Sequence, residues 1–344
     1  MDRIYKPNLT QVNNVAIGST FSCELPIGPA YRYLDIIVTY TTGAGLTASA
    51  ITDFLDLITV YVNGKPYRTF LATEANDIHT RYGSIYKALI CKTSGSGNSL
   101  IPLLTGTSPT APAANAQTTC KFRIYFEEPW RKTWAAASSR KFITAWPAKT
   151  AGGASQVLSS FQIQAVIPST TNNAGATNLS VLIYAGTDNT VGVLDKNGNP
   201  VTNTLKWYRY PGFSYTAAGD QTISNLVKYD KGKVLAILEQ MTIFSQSTGD
   251  DVNRLQLNLD GRVVYDATSL ANMDELIRHG FNPTWNLDEF DFVADANDQI
   301  MDGLVLSTPN GFYVNTMTAT ATLGAAAGGN KTLVIISQVY GPLD

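Results

Sequence analysis

The chain has 344 residues, of which only 15% are charged, and its formal net charge is −2. An ordinary soluble domain carries roughly 25% charged residues, and this length suits two domains of about 100–200 residues each. No run of about 18 consecutive apolar residues occurs and Met1–Pro7 has no apolar core, so the chain is expected neither to span a membrane by a helix nor to be classically secreted.

The first residues, 1–18, contain Asp2, Arg3 and Lys6 with little periodicity and read as an N-terminal arm. Period-two or β-branched runs then begin: Leu34–Tyr40, Leu57–Val62, Cys120–Phe126, Phe161–Ile167 and Leu179–Tyr184. Val234–Leu238, Leu255–Leu259 and Leu333–Ile336 continue the series. Many short strands separated by Gly, Asn, Pro and Ser predict a sandwich or barrel rather than alternating βαβ units. Cys23, Cys91 and Cys120 are odd in number and widely spaced, which predicts reduced, buried thiols and neither a disulfide framework nor a zinc site.

An internal repeat organises these strands. Val60-Tyr-Val-Asn63-Gly64-Lys65, followed by Tyr67, has the pattern of Leu257-Asn-Leu-Asp260-Gly261-Arg262, followed by Tyr265. Each reads as a strand, a tight Asn-Gly or Asp-Gly turn that favours positive φ, and a returning strand. A short helix is predicted after each copy. The first covers Ala72–His79, with Gly83 beyond it; the second has its cap in Asn272–Glu275 before Leu276–His279, with Gly280 as a left-handed stop.

A second correspondence closes each half: Val166-Ile-Pro, a small-residue loop and Asn178–Gly186 match Thr316-Met-Thr, a similar loop and Lys331–Gly341. Two copies of one β fold explain both correspondences, with a join near Trp207–Gly212. The domains expected are 19–210 and 211–344. Residues 1–210 hold 18 Lys+Arg against 11 Asp+Glu, and 211–344 hold 7 against 16, so the halves are electrostatic opposites.

Duplicated eight-stranded sandwiches, each interrupted by a helix, resemble the double jelly-roll major capsid proteins of tectivirus-type phages and their relatives, including adenovirus hexon. The likeness rests on element order: Leu34–Ile78, the strand ending in Phe126–Trp130 and the final strand Leu333–Tyr340 fall where that family has its strands. It implies an all-β fold of two tandem eight-stranded jelly rolls with short helices between strands, and a structural, non-enzymatic role. It further implies a pseudo-hexameric homotrimer tiling an icosahedral bacteriophage capsid assembled in the host cytoplasm. The partners implied are neighbouring trimers, penton or minor capsid proteins and an internal lipid membrane, with no sequence-specific nucleic-acid binding. The family brings no catalytic, cofactor-binding or metal-binding residue.

The chemistry in the residues agrees with that expectation. His79 and His279 are placed on the two repeated helices as surface or helix-terminal residues, with no nucleophile at a recognisable spacing. Asp195-Lys-Asn197-Gly-Asn199-Pro200 begins like a calcium loop, but Pro200 stands where the sharp turn needs Gly and Lys206 where it needs a bidentate Glu. The acidic stretch from Asp288, Glu289 and Asp291 to Asp302 reads as a solvated loop, and Thr93–Asn98 as a flexible glycine-rich segment lacking a phosphate-loop Lys. Glu127 and Glu128 are adjacent on a strand, pointing to opposite faces, and so do not form a facing pair of carboxylates.

Trp130, Arg131, Lys132, Trp134, Arg140 and Lys141 form the one aromatic and basic concentration, with Trp146 beyond it. They read either as assembly contacts, with a neighbouring capsomer, lipid headgroups or nucleic acid, or as a long loop anchored by buried tryptophans. Two other classes remain open: a carbohydrate-binding or adhesin-like double β-sandwich, and a glycan-degrading enzyme, which needs two carboxylates meeting in a cleft.

Overall fold

A computed structural model describes residues 4–6, 12–43, 54–82, 89–93, 100–102, 115, 117–130, 142–143, 158–171, 173–188, 193–194, 200–201, 203–226, 229–245, 252–278, 280–282, 287–292, 303–324 and 331–342. The chain divides into two compact units, Met1–Thr202 and Asn203–Asp344.

The first unit runs β1 (Ile4–Lys6), β2 (Ser19–Glu24), β3 (Ala30–Thr41), β4 (Leu57–Val62), β5 (Lys65–Leu71) and α1 (Ala72–Arg81). It continues with β6 (Leu89–Thr93), β7 (Leu100–Pro102), β8 (Gln117–Tyr125), β9 (Phe142–Ile143), β10 (Phe161–Ile167), β11 (Thr177–Asp188), β12 (Val193–Leu194) and β13 (Pro200–Val201). The second unit runs β14 (Asn203–Tyr215), β15 (Gly219–Ile223), β16 (Ala236–Ser245), β17 (Val252–Leu259), β18 (Arg262–Thr268) and α2 (Ser269–Arg278). It ends with β19 (Leu287–Asp291), β20 (Leu304–Ser307), β21 (Met317–Leu323) and β22 (Lys331–Pro342).

Strand order shows that the two units are copies of one topology. In the first, the sheets run β1-β11-β3-β8 and β2-β10-β4-β5; in the second, β14-β22-β16-β19 and β15-β21-β17-β18. Counting each unit's eight principal strands in chain order, both read 1-8-3-6 and 2-7-4-5. This is the jelly roll, a two-sheet sandwich in which successive strands alternate between sheets, except at the tight 4–5 hairpin. The first unit adds β6 and β7 beyond β8, and β9 beside β3.

Periodicity produces the two-layer core. β10 and β21 share the burial alternation buried–intermediate along all seven residues, with Phe161, Ile163, Ala165 and Ile167 inward in one and Met317, Ala319, Ala321 and Leu323 in the other. Side chains two apart share a face, so each strand contributes one apolar row. In the second unit these rows meet those of Leu255, Leu257, Met241, Ile243, Phe290, Leu333 and Ile335 in one continuous core. Cys23 and Cys120 are buried, filling small core positions; the side chain of Cys91 lies outside the described residues.

Three local features differ from the sequence expectations. Ile4–Lys6, within the segment read as an arm, pairs with Thr187–Ala185 as the first strand of the first roll. Trp207–Tyr210 lies inside β14, because the pairing of that strand with β22 starts at Asn203, before the expected join. Asn272 does not cap the second helix: Thr268 does, its Oγ1 accepting the Ala271 N–H at 3.2 Å, so the helix starts at Ser269. The stop is as expected, with Gly280 at φ +86° and the Gly280 and Phe281 N–H groups donating to Ile277 and Leu276.

Candidate assembly sites

The repeated turns are two copies of one clasp. Asn63 and Asp260 stand at φ +51° and +48°, each followed by a glycine, Gly64 and Gly261, also at positive φ. An oxygen of each side chain receives the backbone that enters the seventh principal strand of its own unit. The Ser159 and Ser160 N–H groups donate to Asn63 Oδ1 at 2.7 and 3.4 Å. Those of Asn315 and Thr316 donate to Asp260 Oδ1 at 2.9 and 2.7 Å. In return, the Asn63 and Asp260 N–H groups donate to the Ser160 and Thr316 carbonyls, both at 3.0 Å. Asn and Asp suit this corner twice over, since they tolerate left-handed backbone and offer an acceptor on a short side chain, two bonds beyond Cβ. These hydrogen bonds hold the Asp260 carboxyl below its ordinary pKa, the Thr316 N–H first among the causes.

In the first unit α1 is enclosed. Glu74 accepts the Leu71 N–H at 2.8 Å, closing the first turn. His79, Arg81 and Tyr82 at the other end are all buried. His79 packs edge-on to Tyr125 with ring centroids 5.0 Å apart and lies 5.4 Å from Trp130, which stacks flat on Tyr82 at 4.4 Å. Trp130 is therefore the cover of a helix end, and half-buried. Arg68 enters from β5, donating to the Tyr125 carbonyl, with its guanidinium 5.1 Å from the Phe126 ring. Burial, with the charges of Arg68 and Arg81, pushes His79 down to about 3, so it is neutral. His79 thus lies in the last helical turn, as expected, but it is a core residue. The difference comes from Arg68, Tyr125 and Trp130, which are distant in sequence. His279, Arg131, Lys132, Trp134, Arg140, Lys141 and Trp146 lie outside the described residues.

The outward-facing rows of β3 and β8 carry a built ionic cluster. Arg123 forks Asp35, Nε–Oδ1 2.6 Å and Nη2–Oδ2 2.7 Å, with Lys121 3.7 Å away. The same guanidinium lies 3.8 Å over the Tyr33 ring. Tyr33 in turn lies on Gly186 of β11, where a Cβ would come within 2.3 Å of the ring.

The carboxylates occupy structural positions. Glu127 receives a bidentate pair from Arg32, with the Nε–Oε2 distance 2.7 Å. Glu127 and Glu128 are both buried just past the end of β8. The acidic stretch begins in β19 and not in a solvated loop. Asp288 and Glu289 are buried, and the Ser269 hydroxyl donates to Asp288 at 2.8 Å, tying β19 to the start of α2. Asp195, Asn197 and Asn199, with the later acidic residues Asp295, Asp298 and Asp302, lie outside the described residues, as does most of the Thr93–Asn98 segment. Among the described residues, no three His, Cys, Asp or Glu side chains group as metal ligands.

Residues 205–335 match the family model of the viral coat protein P2 C-terminal domain. That match spans most of the second unit, Asn203–Asp344. Solved structures extend the likeness over the whole chain. The major capsid protein P2 of bacteriophage PM2 matches at 15% identity and TM-score 0.63, covering 100% of this chain and 98% of that one. The STIV major capsid protein matches at 10% and 0.60, covering 100% and 97%, and the PBCV-1 virus capsid at 10% and 0.59, covering 100% and 95%. No curated protein matches in sequence. At these identities the structural likeness establishes the fold: the part that matches the family model is the second of two jelly rolls, and the first repeats its strand order.

Proposed function

We propose that the chain is the major capsid protein of an icosahedral virus, a non-enzymatic shell component that works as a homotrimer with a pseudo-hexagonal footprint. One observation carries this reading: the duplicated topology uses the whole chain, and one of its two copies matches a coat-protein family. Three copies of a two-roll chain supply six similar lobes, which is the count a sheet of hexagonally packed capsomers needs. Its place is the virion capsid, assembled in the host cytoplasm. Its partners there are neighbouring trimers, penton or minor capsid proteins and an internal membrane.

Charge supports a head-to-tail arrangement around the ring. Divided at the unit boundary, residues 1–202 hold 16 Lys+Arg against 11 Asp+Glu, and residues 203–344 hold 9 against 16. In a heterologous trimer contact the first roll of one subunit meets the second roll of the next, so opposite signs face each other. Trp130, Arg131, Lys132, Trp134, Arg140 and Lys141 are proposed as contacts between capsomers, with Trp130 anchoring the segment. Light scattering on a sizing column tests the trimer. A mass three times the 37.2 kDa chain is expected, and a clean monomer overturns the reading. Replacing Arg131, Lys132, Arg140 and Lys141 by Gln should leave the trimer intact and impair particle assembly; normal particles would remove these residues from the contact.

A further inference from the structure

One end of the second unit holds two aromatic rings out of the protein on a rigid frame. There the connections 229–233 and 308–316 meet the Asp260–Gly261 turn. Phe312 is 55% exposed and Tyr313 46%. Their backbone, however, is fixed: the Thr308 N–H donates to the Phe312 carbonyl at 2.9 Å and the Val314 N–H to the Leu306 carbonyl at 2.8 Å. From the other connection, the Tyr229 hydroxyl donates to the Val314 carbonyl at 2.6 Å, and Lys231 Nζ to Asn315 O and Oδ1 at 2.7 and 2.8 Å. The clasp on Asp260 holds Asn315 and Thr316. The loop's backbone is engaged by hydrogen bonds within the unit, whereas its two largest apolar side chains face water, an arrangement that folding alone does not favour.

The charges beside these rings run against those of the rest of the unit. Lys231, Lys233 and Arg262 are exposed here, and Lys231 Nζ lies 6.0 Å from the centre of the Tyr313 ring. Among the described residues the acids at this end are Asp230 and Asp260, and the second is engaged by the clasp. A unit with 7 more acidic than basic residues thus ends locally in more cations than anions. Exposed aromatics flanked by cations match the boundary between lipid headgroups and acyl chains: the rings prefer that depth, and the cations meet phosphate. Taken by itself, the first unit repeats the theme at its corresponding end. Between two prolines of the 25–29 connection, Ile27 is 40% exposed, and Lys65 is exposed beyond the Asn63–Gly64 turn.

We propose that this end of the second unit docks on an anionic lipid surface, with Phe312 and Tyr313 entering the headgroup boundary and Lys231, Lys233 and Arg262 contacting phosphates. This deepens the coat-protein reading by naming the residues that would face a membrane, yet it can fail while that reading stands. The test is co-flotation of the full-length protein, in its native oligomer, with phosphatidylcholine vesicles with and without phosphatidylglycerol. Flotation that requires phosphatidylglycerol and weakens in high salt is expected. Phe312→Ser with Tyr313→Ser should reduce partitioning about tenfold or more, and Lys231→Gln with Lys233→Gln several-fold. Oligomer mass should be unchanged in both variants, and the melting midpoint unchanged in the aromatic one. Absence of flotation at low ionic strength overturns the proposal, as does undiminished flotation of the aromatic variant. A changed oligomer mass in the aromatic variant overturns it in favour of a second copy of the chain as the occupant.

Discussion

Asn63 and Asp260 occupy the same corner of two units with one topology: both have left-handed backbone, and both bind the residues that enter the seventh strand, Ser159 and Ser160 in one case, Asn315 and Thr316 in the other. The chemistry differs, amide against carboxylate, while the acceptor geometry is kept. Asn63→Ala removes both the side-chain acceptor and the tolerance for positive φ, and should destabilise the protein by about 1–2 kcal/mol in urea unfolding. Asp260→Asn keeps the acceptor, so it should be milder than Asp260→Ala. It should also remove a pH dependence: the lowered Asp260 pKa stabilises the fold above its unfolded value and stops doing so as pH falls through the folded one.

His79 gives the first unit a sensitivity at milder pH. Its folded value is about 3 against 6.5 for the free side chain. Between those limits the unfolded chain takes up a proton that the folded one refuses, so stability falls as pH drops below about 6.5, by roughly 1.4 kcal/mol per unit. Comparing urea unfolding at pH 7 and pH 5 for the wild type and His79→Phe isolates this contribution. The wild type should lose about 2 kcal/mol more than the variant.

Gly186 is required by what lies on it. A methyl group there would stand 2.3 Å from the Tyr33 ring, which is itself held by Arg123. Gly186→Ala should cost about 1–3 kcal/mol, and Tyr33→Ala in the same chain should recover part of the loss. Arg123→Ala should cost more, about 3–5 kcal/mol, because it leaves the buried Asp35 carboxylate with Lys121 alone. Thermal melts of the three variants give the order.

The opposed charges of the two halves predict a salt-dependent trimer. Dissociation followed by light scattering should be faster in molar salt, where the Debye length is about 3 Å, than at low ionic strength, where it is about 30 Å. Equal rates would remove electrostatics from the contact.

Much of this architecture was legible in the sequence where signals are local. Phe161–Ile167 shows its alternation directly, Asn63-Gly64 and Asp260-Gly261 specify their turns, and Gly280 ends its helix. What escaped depends on residues far apart in the chain or on segments too short to show a period. Three residues, Ile4–Lys6, carry no periodicity, and only pairing with β11 makes them a strand. Asp288 and Glu289 look solvated by composition but lie in β19, where Ser269 engages the aspartate. The enclosure of His79 needs Tyr125 at the end of β8 and Trp130 beyond it. The clasp partners left a trace that could have been followed: a pair of small polar residues, Ser159-Ser160 and Asn315-Thr316, stands before the corresponding strand in each half.

Electron microscopy of the purified oligomer, averaged without imposed symmetry, addresses the central claim most directly. Two rolls per chain and three chains per capsomer predict a six-lobed, pseudo-hexagonal outline in which alternate lobes are equivalent. A two-lobed particle, or a ring with any number of lobes other than six, would contradict the account.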